Sequence, residues 1–436
     1  MSDLEEKRRE VRQRLIEENE FPTIPENWGV ERLRFLFSES KERNGNSPVG
    51  EMLSVSEYRG VVPREYEHEE QKRTDDELEN YRVVRPGQLA VNSMWLNHLG
   101  LGVSEHTGHV SPAYNVYDIS ERLDRRFVHH LMRSNYYLKI YLRYLYGIRP
   151  NSFQIKSNDW ASIPIIVPDL PTQRQIADFL DRETARIDLL IEKKQRLVAL
   201  LREKAKSVNE LFFINSDATG IQPLHRLYRV VTGKTPSRNE EDNFSGEDGL
   251  PWATPANLGF LAPVVTTKEY LTAKGSSGQP VVDAGTVLLN GIGASVGKIG
   301  IAGTKLSFNQ QIHALMSKKR VLADRFLFFQ LLTLKEQLVL LANSTTLPIL
   351  NAERLGRLEL KVFDLEDQRR HCANMDALLQ HEQITAQKIN ASIERLKEYR
   401  SALITAAVTG QIDVSTYAKS GTLDRRLDAI QEEMGA

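Results

Sequence analysis

Two stretches of this chain carry apolar residues at alternating three- and four-residue steps. In the first, Ile176, Leu180, Ile187, Leu190, Leu197, Leu201, Val208 and Leu211 share one stripe, interrupted in the same frame by Glu183, Lys194 and Lys204. In the second, Met375, Leu379, Ala386, Ile389, Ile393, Leu396, Leu403 and Ala407 do so, interrupted by Glu382 and Arg400. Such a repeat is the seam of a coiled coil. A helix of about 40 residues is about 60 Å long at about 1.5 Å per residue, too long to bury its stripe on one small globule. The pattern predicts two long helices packed on each other, antiparallel if the two halves of the chain are related by a pseudo-two-fold axis. Two separate dimerisation helices are the competing reading. Pro171 suits a first helical turn, where its missing N–H has no role, and Gly410 suits a helical stop.

The two stretches are copies. Residues 169–203 and 364–398 align without a gap at one offset, 364 − 169 = 195, pairing Asp169/Asp364, Gln173/Gln368, Arg174/Arg369, Asp181/Asp376, Lys193/Lys388 and Leu201/Leu396. Ahead of each helix lies a short apolar strand, at 163–167 and 358–362. Residues 20–168 and 215–363 read as short strands broken by turn residues and interleaved with helical pieces, an α+β pattern whose strand order is not legible. Fragments of likeness survive between these globules: 86–90 with Asn92 echoes 284–288 with Asn290, at an offset of 198. Divergent heads on similar stalks suit two recognition specificities on one frame.

Composition narrows the classes. With 436 residues the chain has room for two such domains. Lys plus Arg (57) nearly balances Asp plus Glu (58), so a nucleic-acid partner would depend on local basic surfaces. The single cysteine, Cys372, excludes an internal disulfide, fits a reducing cytoplasm and reads as a small buried residue. The charged N-terminus lacks a signal peptide's apolar core, and no apolar run reaches membrane-span length, so a soluble cytoplasmic protein is expected.

Candidate chemistry mostly fails on spacing. In 291–298 (GIGASVGK) a phosphate loop would need glycine at Ile292 and Ser or Thr at Ile299, and the dinucleotide motif finds its third glycine one residue late at Gly297. A glycine-rich hairpin is the better reading. His381-Glu382 lacks a second histidine at Thr385, and His129, His130 and His371 have no partners at metal-ligand spacing. No catalytic apparatus stands out, so a binding role leads.

The remaining motifs resemble one family along nearly the whole chain. Thr232-Gly233-Lys234-Thr235-Pro236-Ser237-Arg238, then Pro251-Trp252-Ala253-Thr254, then Gly297-Lys298 and Phe308-Asn309-Gln310-Gln311 resemble the G-x-T-P-S, P-W-x-T, G-K and N-Q segments of target-recognition domains in the specificity subunits of type I restriction-modification systems. The first globule looks like another variety of that domain, with Leu53-Ser54-Val55, Asn92-Ser93-Met94 and residues 108–114 (GHVSPAY). The stretch Ile163-Pro164, Pro168 and Pro171-Thr172-Gln173-Arg174-Gln175-Ile176-Ala177 is close to the family's P-P-L-x-E-Q-x-x-I-A run, with Thr172 where Glu is usual; the second copy has lost the prolines. The C-terminal run 403–413 is also typical.

The resemblance implies a non-catalytic DNA-binding subunit with a helical segment at 1–19, recognition domains at 20–170 and 215–365, spacer helices at 171–214 and 366–412, and a tail at 413–436. Each domain would read one half of a bipartite, asymmetric double-stranded DNA target. The helices would set the unread spacer and dock two methyltransferase subunits, with ATP-dependent restriction subunits joining. S-adenosylmethionine, ATP and Mg2+ would belong to those partners, and none to this chain. The N- and C-terminal pieces would meet; exposed, frayed ends are the alternative. Asn and Gln suit adenine, and Arg or Lys suits guanine. The candidates are therefore Arg59, Arg64, Asn92, Ser93, Asn97, Arg149, Asn151, Gln154 and Lys156 in the first globule, and Lys234, Ser237, Arg238, Asn290, Asn309, Gln310 and Gln311 in the second. Asn and Ser at such places also cap turns. The basic run 122–133 stays open between a phosphate-facing helix and a solvated one. Trp95 and Trp252 read as core rather than base-stacking residues. A protein-binding coiled-coil scaffold, or an orphan relative in another defence system, is the alternative function.

Overall fold

In a computed structural model of the chain, the two long helices run Leu170–Asn215 and Leu365–Val408. The structure describes all residues except 1–2, 20, 22, 57–59, 66–73, 148–153, 247, 260–262, 319–323, 343–346 and 433–436. Pro171 does sit in the first turn, where the Asp169 carboxylate accepts from the Thr172 N–H at 2.9 Å. Beyond it neither helix contains Gly or Pro, and strong helix formers dominate both. The second helix stops just before Gly410, whose φ of +74° is left-handed.

The chain divides into two compact units, residues 1–194 with 390–436, and residues 195–389. Each unit contains one globule, half of the first long helix and half of the second. In the first unit Arg400 pairs with Asp188 at 2.9 Å. In the second, Arg202 lies 3.7 Å from Glu382 and Asn209 meets His371 at 3.0 Å. In the second unit partner numbers fall on one helix as they rise on the other, so there the helix halves pack antiparallel.

The seam matches the sequence pattern on one helix and departs from it on the other. Every apolar member of the second stripe, from Met375 to Ala407, is buried. On the first helix Ile176, Leu180 and Ile187 are buried, but Leu197, Val208 and Leu211 are exposed, and the buried line runs through Lys194, Val198, Ala205, Asn209 and Phe213. A straight helix turns once per about 3.6 residues, so a strict 3.5-residue frame drifts by about 20° per heptad. By Val198 the contact line has moved one position. The heptad frame is thus corrected there, and Leu197, Leu200, Val208 and Leu211 form an outward apolar stripe.

The globules share one topology. In the first, strands Phe37–Glu39, Tyr114–Ile119, Leu89–Asn92 and Leu101–Val103 form an antiparallel sheet in that spatial order; in the second, Tyr228–Thr232, Ile312–Ser317, Val287–Asn290 and Ile299–Ile301 do the same. The last three strands of each set begin 198 residues apart. A second sheet in each globule contains one parallel pair, Glu51–Ser56 with Gly108–Val110, and Leu250–Ala253 with Leu306–Phe308. The second globule adds Phe244–Ser245 at that sheet's edge. Each predicted apolar strand before a long helix pairs antiparallel with the strand entering its globule: Pro164–Val167 with Gly29–Arg32, and Glu359–Val362 with Gly220–Pro223.

The described terminal segments, 3–18 and 414–432, are packed rather than frayed. In the first unit the N-terminal helix Asp3–Glu18 and the C-terminal helices Val414–Lys419 and Thr422–Glu432 bury Leu15, Val414 and Leu427 in the core that holds Trp28, Leu403 and Ala407. Arg12 donates to the carbonyls of Trp28 (2.8 Å) and Pro25 (3.0 Å), and a Cβ on Gly410 would meet that same Pro25. Arg186 pairs with Asp424 at 2.6 Å. Among the described residues no helix is long and apolar enough to cross a membrane. Cys372 is buried, and burial pushes its thiol up to about 12.

The shifted frame is testable. Val198→Ala is expected to lower stability by about 2 kcal/mol in denaturant unfolding, because two buried methyl groups are lost. Leu197→Ala, one residue away, should change it by less than about 0.5 kcal/mol. The reverse ranking would restore the original frame.

Candidate nucleic-acid interface

Each globule is fixed to its helix before any loop is placed. In the first, Arg126 reaches Asp178 at 2.8 Å and Asp181 at 2.9 Å, while His130 meets Asp181 at 2.7 Å. The hydrogen bond from His130, supported by Arg126, holds the Asp181 carboxyl below the usual range. In the second, Arg325 pairs with Asp376 at 2.6 Å, so the repeated aspartates do the same work in both copies. Gln173 and Gln368 are fully buried; their amides donate to the carbonyls of Pro168 (2.8 Å) and Phe363 (2.7 Å), pinning each strand-to-helix junction.

These contacts also engage the basic run 122–133. Its helix, Arg125–Met132, is capped by Asp124, Arg122 binds Glu31, and Arg133 donates to backbone carbonyls including Ser56. Three of its arginines thus have carboxylate or carbonyl partners within the unit, Arg122 and Arg126 in ion pairs at the surface. His129 is half-buried, and desolvation lowers it to about 3, so it is neutral at ordinary pH.

In the second globule the motif segments converge. Lys234 N–H donates to Phe308 O (3.1 Å), Gly233 N–H to Ile312 O (3.0 Å) and Asn309 N–H to Ala253 O (3.0 Å). The Trp252 indole donates to Lys234 O at 3.3 Å. A Cβ on Gly233 would lie 2.1 Å from Asn309 O, so only glycine permits this approach. Thr235 donates to the exposed Gln310, and Asn309 is bonded to Gln311 through its amide (3.0 Å). Lys234, Ser237 and Gln310 are exposed on this surface.

Two candidates there have other employment. Asn290 is fully buried, donating to Ile292 O (3.0 Å) and Ser295 Oγ (2.9 Å), so it supports its turn and offers no edge to a ligand. Arg238 makes a bidentate pair with Glu269 (2.6 and 3.0 Å) over the rings of Phe244 and Trp252. That pairing lowers the Glu269 carboxyl. Sequence reading missed Glu269 because it begins a strand 31 residues away from the turn that holds Arg238. The segment 291–298 is the turn of an antiparallel hairpin, and its Lys298 donates to Pro255 O at 3.0 Å.

In the first globule Arg64, Asn92, Trp95 and Tyr114 line one open cleft of about 460 Å³. Ser93 donates to Ala113 O (3.1 Å), Asn92 accepts from the Met94 N–H (3.2 Å), and Asn97 shares the same turn. Gln154 and Lys156 are exposed elsewhere in sequence, with the Lys156 ammonium 4.6 Å from the Tyr146 ring. Arg59, Arg149 and Asn151 lie outside the described residues. Trp252 is core, as its context suggests, but Trp95 is not: it is 51% exposed because the hairpin turn carrying it projects from the sheet. Among the described residues no three His, Cys, Asp or Glu side chains are placed to hold a metal ion.

This doubled α+β frame has known counterparts. Residues 224–395 match the family model for the type I restriction modification DNA specificity domain. A solved chain from work on complex assembly and conformational transition of the type I R-M system superposes with a TM-score of 0.62 at 20% identity, over 90% of this chain and all of that one. The HsdS subunit from Thermoanaerobacter tengcongensis gives 0.47 at 17% identity, covering 90% and 99%, and the type I restriction-modification S subunit from M. genitalium gives 0.38 at 14%, covering 88% and 98%. The fold is thus similar to that of the first of these chains, and the motif-bearing second domain matches a DNA specificity domain. The family match itself lies within residues 224–395, the second globule with part of the second long helix.

Gly233→Ala is expected to cost about 1–3 kcal/mol, since a methyl group must displace a backbone carbonyl. Thermal unfolding checks it; an unchanged midpoint would show that the loop has slack.

Proposed function

We propose that this subunit selects a bipartite, asymmetric DNA target, each recognition domain reading one half and the two long helices fixing the unread length between them. The observation that carries this reading is the duplication: one strand order occurs twice, each copy tied to one copy of the same helix, while the loops differ. Two similar frames with different loops suit two different half-sites. Base edges supply sequence information and phosphate contacts supply position. The exposed Lys234, Ser237 and Gln310, and the cleft holding Arg64, are the side chains we assign to that surface.

In this reading the chain has no catalytic step. Two methyltransferase subunits dock on the helices of a cytoplasmic complex, and ATP-dependent restriction subunits join them. S-adenosylmethionine, ATP and Mg2+ act in those partners. The outward stripe of Leu197, Leu200, Val208 and Leu211 supports docking, because an apolar helix face of this kind is a protein-contact surface.

A genome-wide adenine-methylation map, from cells with and without this chain beside its methylase, tests the proposal. One split motif should disappear with the chain. Replacing residues 215–363 by another recognition domain should alter one half-site only, and one heptad inserted into both long helices should alter only the spacer. Changes in both halves after the swap would refute independent reading, and an unchanged spacer would refute the ruler. Lys234→Ala should weaken binding similarly across sequences and reduce the salt slope by about 1, measured over a salt series.

A further inference from the structure

Trp95 stands apart from the other tryptophans. Of the four, Trp28, Trp160 and Trp252 are 6%, 3% and 2% exposed, whereas Trp95 is 51% exposed. It sits in the turn between strands Leu89–Asn92 and Leu101–Val103, and that turn is closely held. Asn92 N–H donates to Gly100 O (2.7 Å), Trp95 N–H to Asn92 O (3.0 Å), and both His98 and Gly100 N–H to Trp95 O (3.0 and 2.8 Å). Leu99 adopts φ +52°, the only left-handed non-glycine residue among those described. Such a conformation persists only where the surroundings impose it, and it clusters at functional sites.

The second recognition domain builds a related turn 198 residues later, matching at both ends. Asn290 N–H donates to Lys298 O (2.8 Å), and Asn290 Oδ1 accepts from Ile292 N–H (3.4 Å) as Asn92 Oδ1 accepts from Met94 N–H (3.2 Å). Gly297, at φ +78°, takes the place of Leu99. The place of Trp95 is taken by Gly293. Turns held alike at their ends therefore carry a large aromatic ring in one domain and, in the other, a glycine whose backbone turns the opposite way (φ +89° against −126° at Trp95). Backbone hydrogen bonds hold the frame in both, so the indole is not what shapes the turn. Its ring lies instead at the cleft it shares with Arg64, Asn92 and Tyr114.

We infer that Trp95 is a specificity-determining residue of the first recognition domain, placing its indole against a base of the DNA half-site, and that the second domain reads its half without an equivalent contact. Aromatic and apolar side chains contact DNA in this way by packing on a thymine methyl or entering a base step. The inference rests on the DNA-reading function proposed above.

The test uses the full chain and fragmented genomic double-stranded DNA from the host. Because the other three tryptophans are buried, iodide should quench mainly the Trp95 emission, and Trp95→Phe should remove that quenchable fraction. Adding DNA should shield it, and Trp95→Ala should weaken binding by about tenfold. In cells, Trp95→Ala should relax the methylated motif in one half-site and leave the other intact. Salt-dependent DNA binding with undiminished quenching and an unaltered motif would overturn the Trp95 inference while leaving the DNA-reading function standing. An absence of DNA binding by the unmodified chain would overturn that function and the inference with it. Shielding that follows protein concentration or added methylase instead of DNA would assign Trp95 to a protein contact and overturn the inference alone.

Discussion

The constraint on which the structure depends is that neither long helix can bury its apolar stripe alone. Each half-helix is covered by the opposite end of the other helix, within a unit that also contains one globule. That requirement makes the first unit from the start of the chain and its end together. It also explains why Leu15, Leu403 and Leu427 share one core. Polar groups at the seam sharpen the pairing. Glu382, 2% exposed, is placed opposite Arg202, and Asn209 meets the His371 ring. A slipped register would leave a buried carboxylate without its cation, which is far worse than any lost methyl contact.

The second level of order is the joint between globule and helix. Asp181 and Asp376, one per repeat, receive arginines from equivalent short helices, and Gln173 and Gln368 lock the strand that feeds each long helix. Loops on such a base can differ without moving it. The two matching hairpin turns illustrate this: identical asparagine capping supports Trp95 in one domain and Gly293 in the other. Recognition can therefore change at exposed positions while buried ones keep the frame.

Much of this was legible in the chain itself. The heptad steps and the offset of 195 determined two long helices and a duplicated organisation, because burial of an apolar stripe follows helical periodicity wherever it occurs. The motif order in 232–238, 251–254 and 308–311 determined which segments belong to one surface, and their convergence around Gly233 follows from a glycine that no other residue can replace there.

Tertiary structure decided what periodicity and residue type cannot. The contact line left the 3.5-residue frame at Val198, because real helices turn at about 3.6 residues and the partner fixes which side is covered. Arg122, Arg126 and Arg133 found carboxylate and carbonyl partners, and Arg238 found Glu269, pairings that lie far apart in sequence. Asn290 went under its turn and Trp95 out of the core for a similar reason: a side chain's exposure depends on where the neighbouring strands pass, and no local pattern encodes that. The sequence by itself determined a doubled helical frame carrying two recognition domains; only the packed structure decided which of its polar and aromatic side chains face outward.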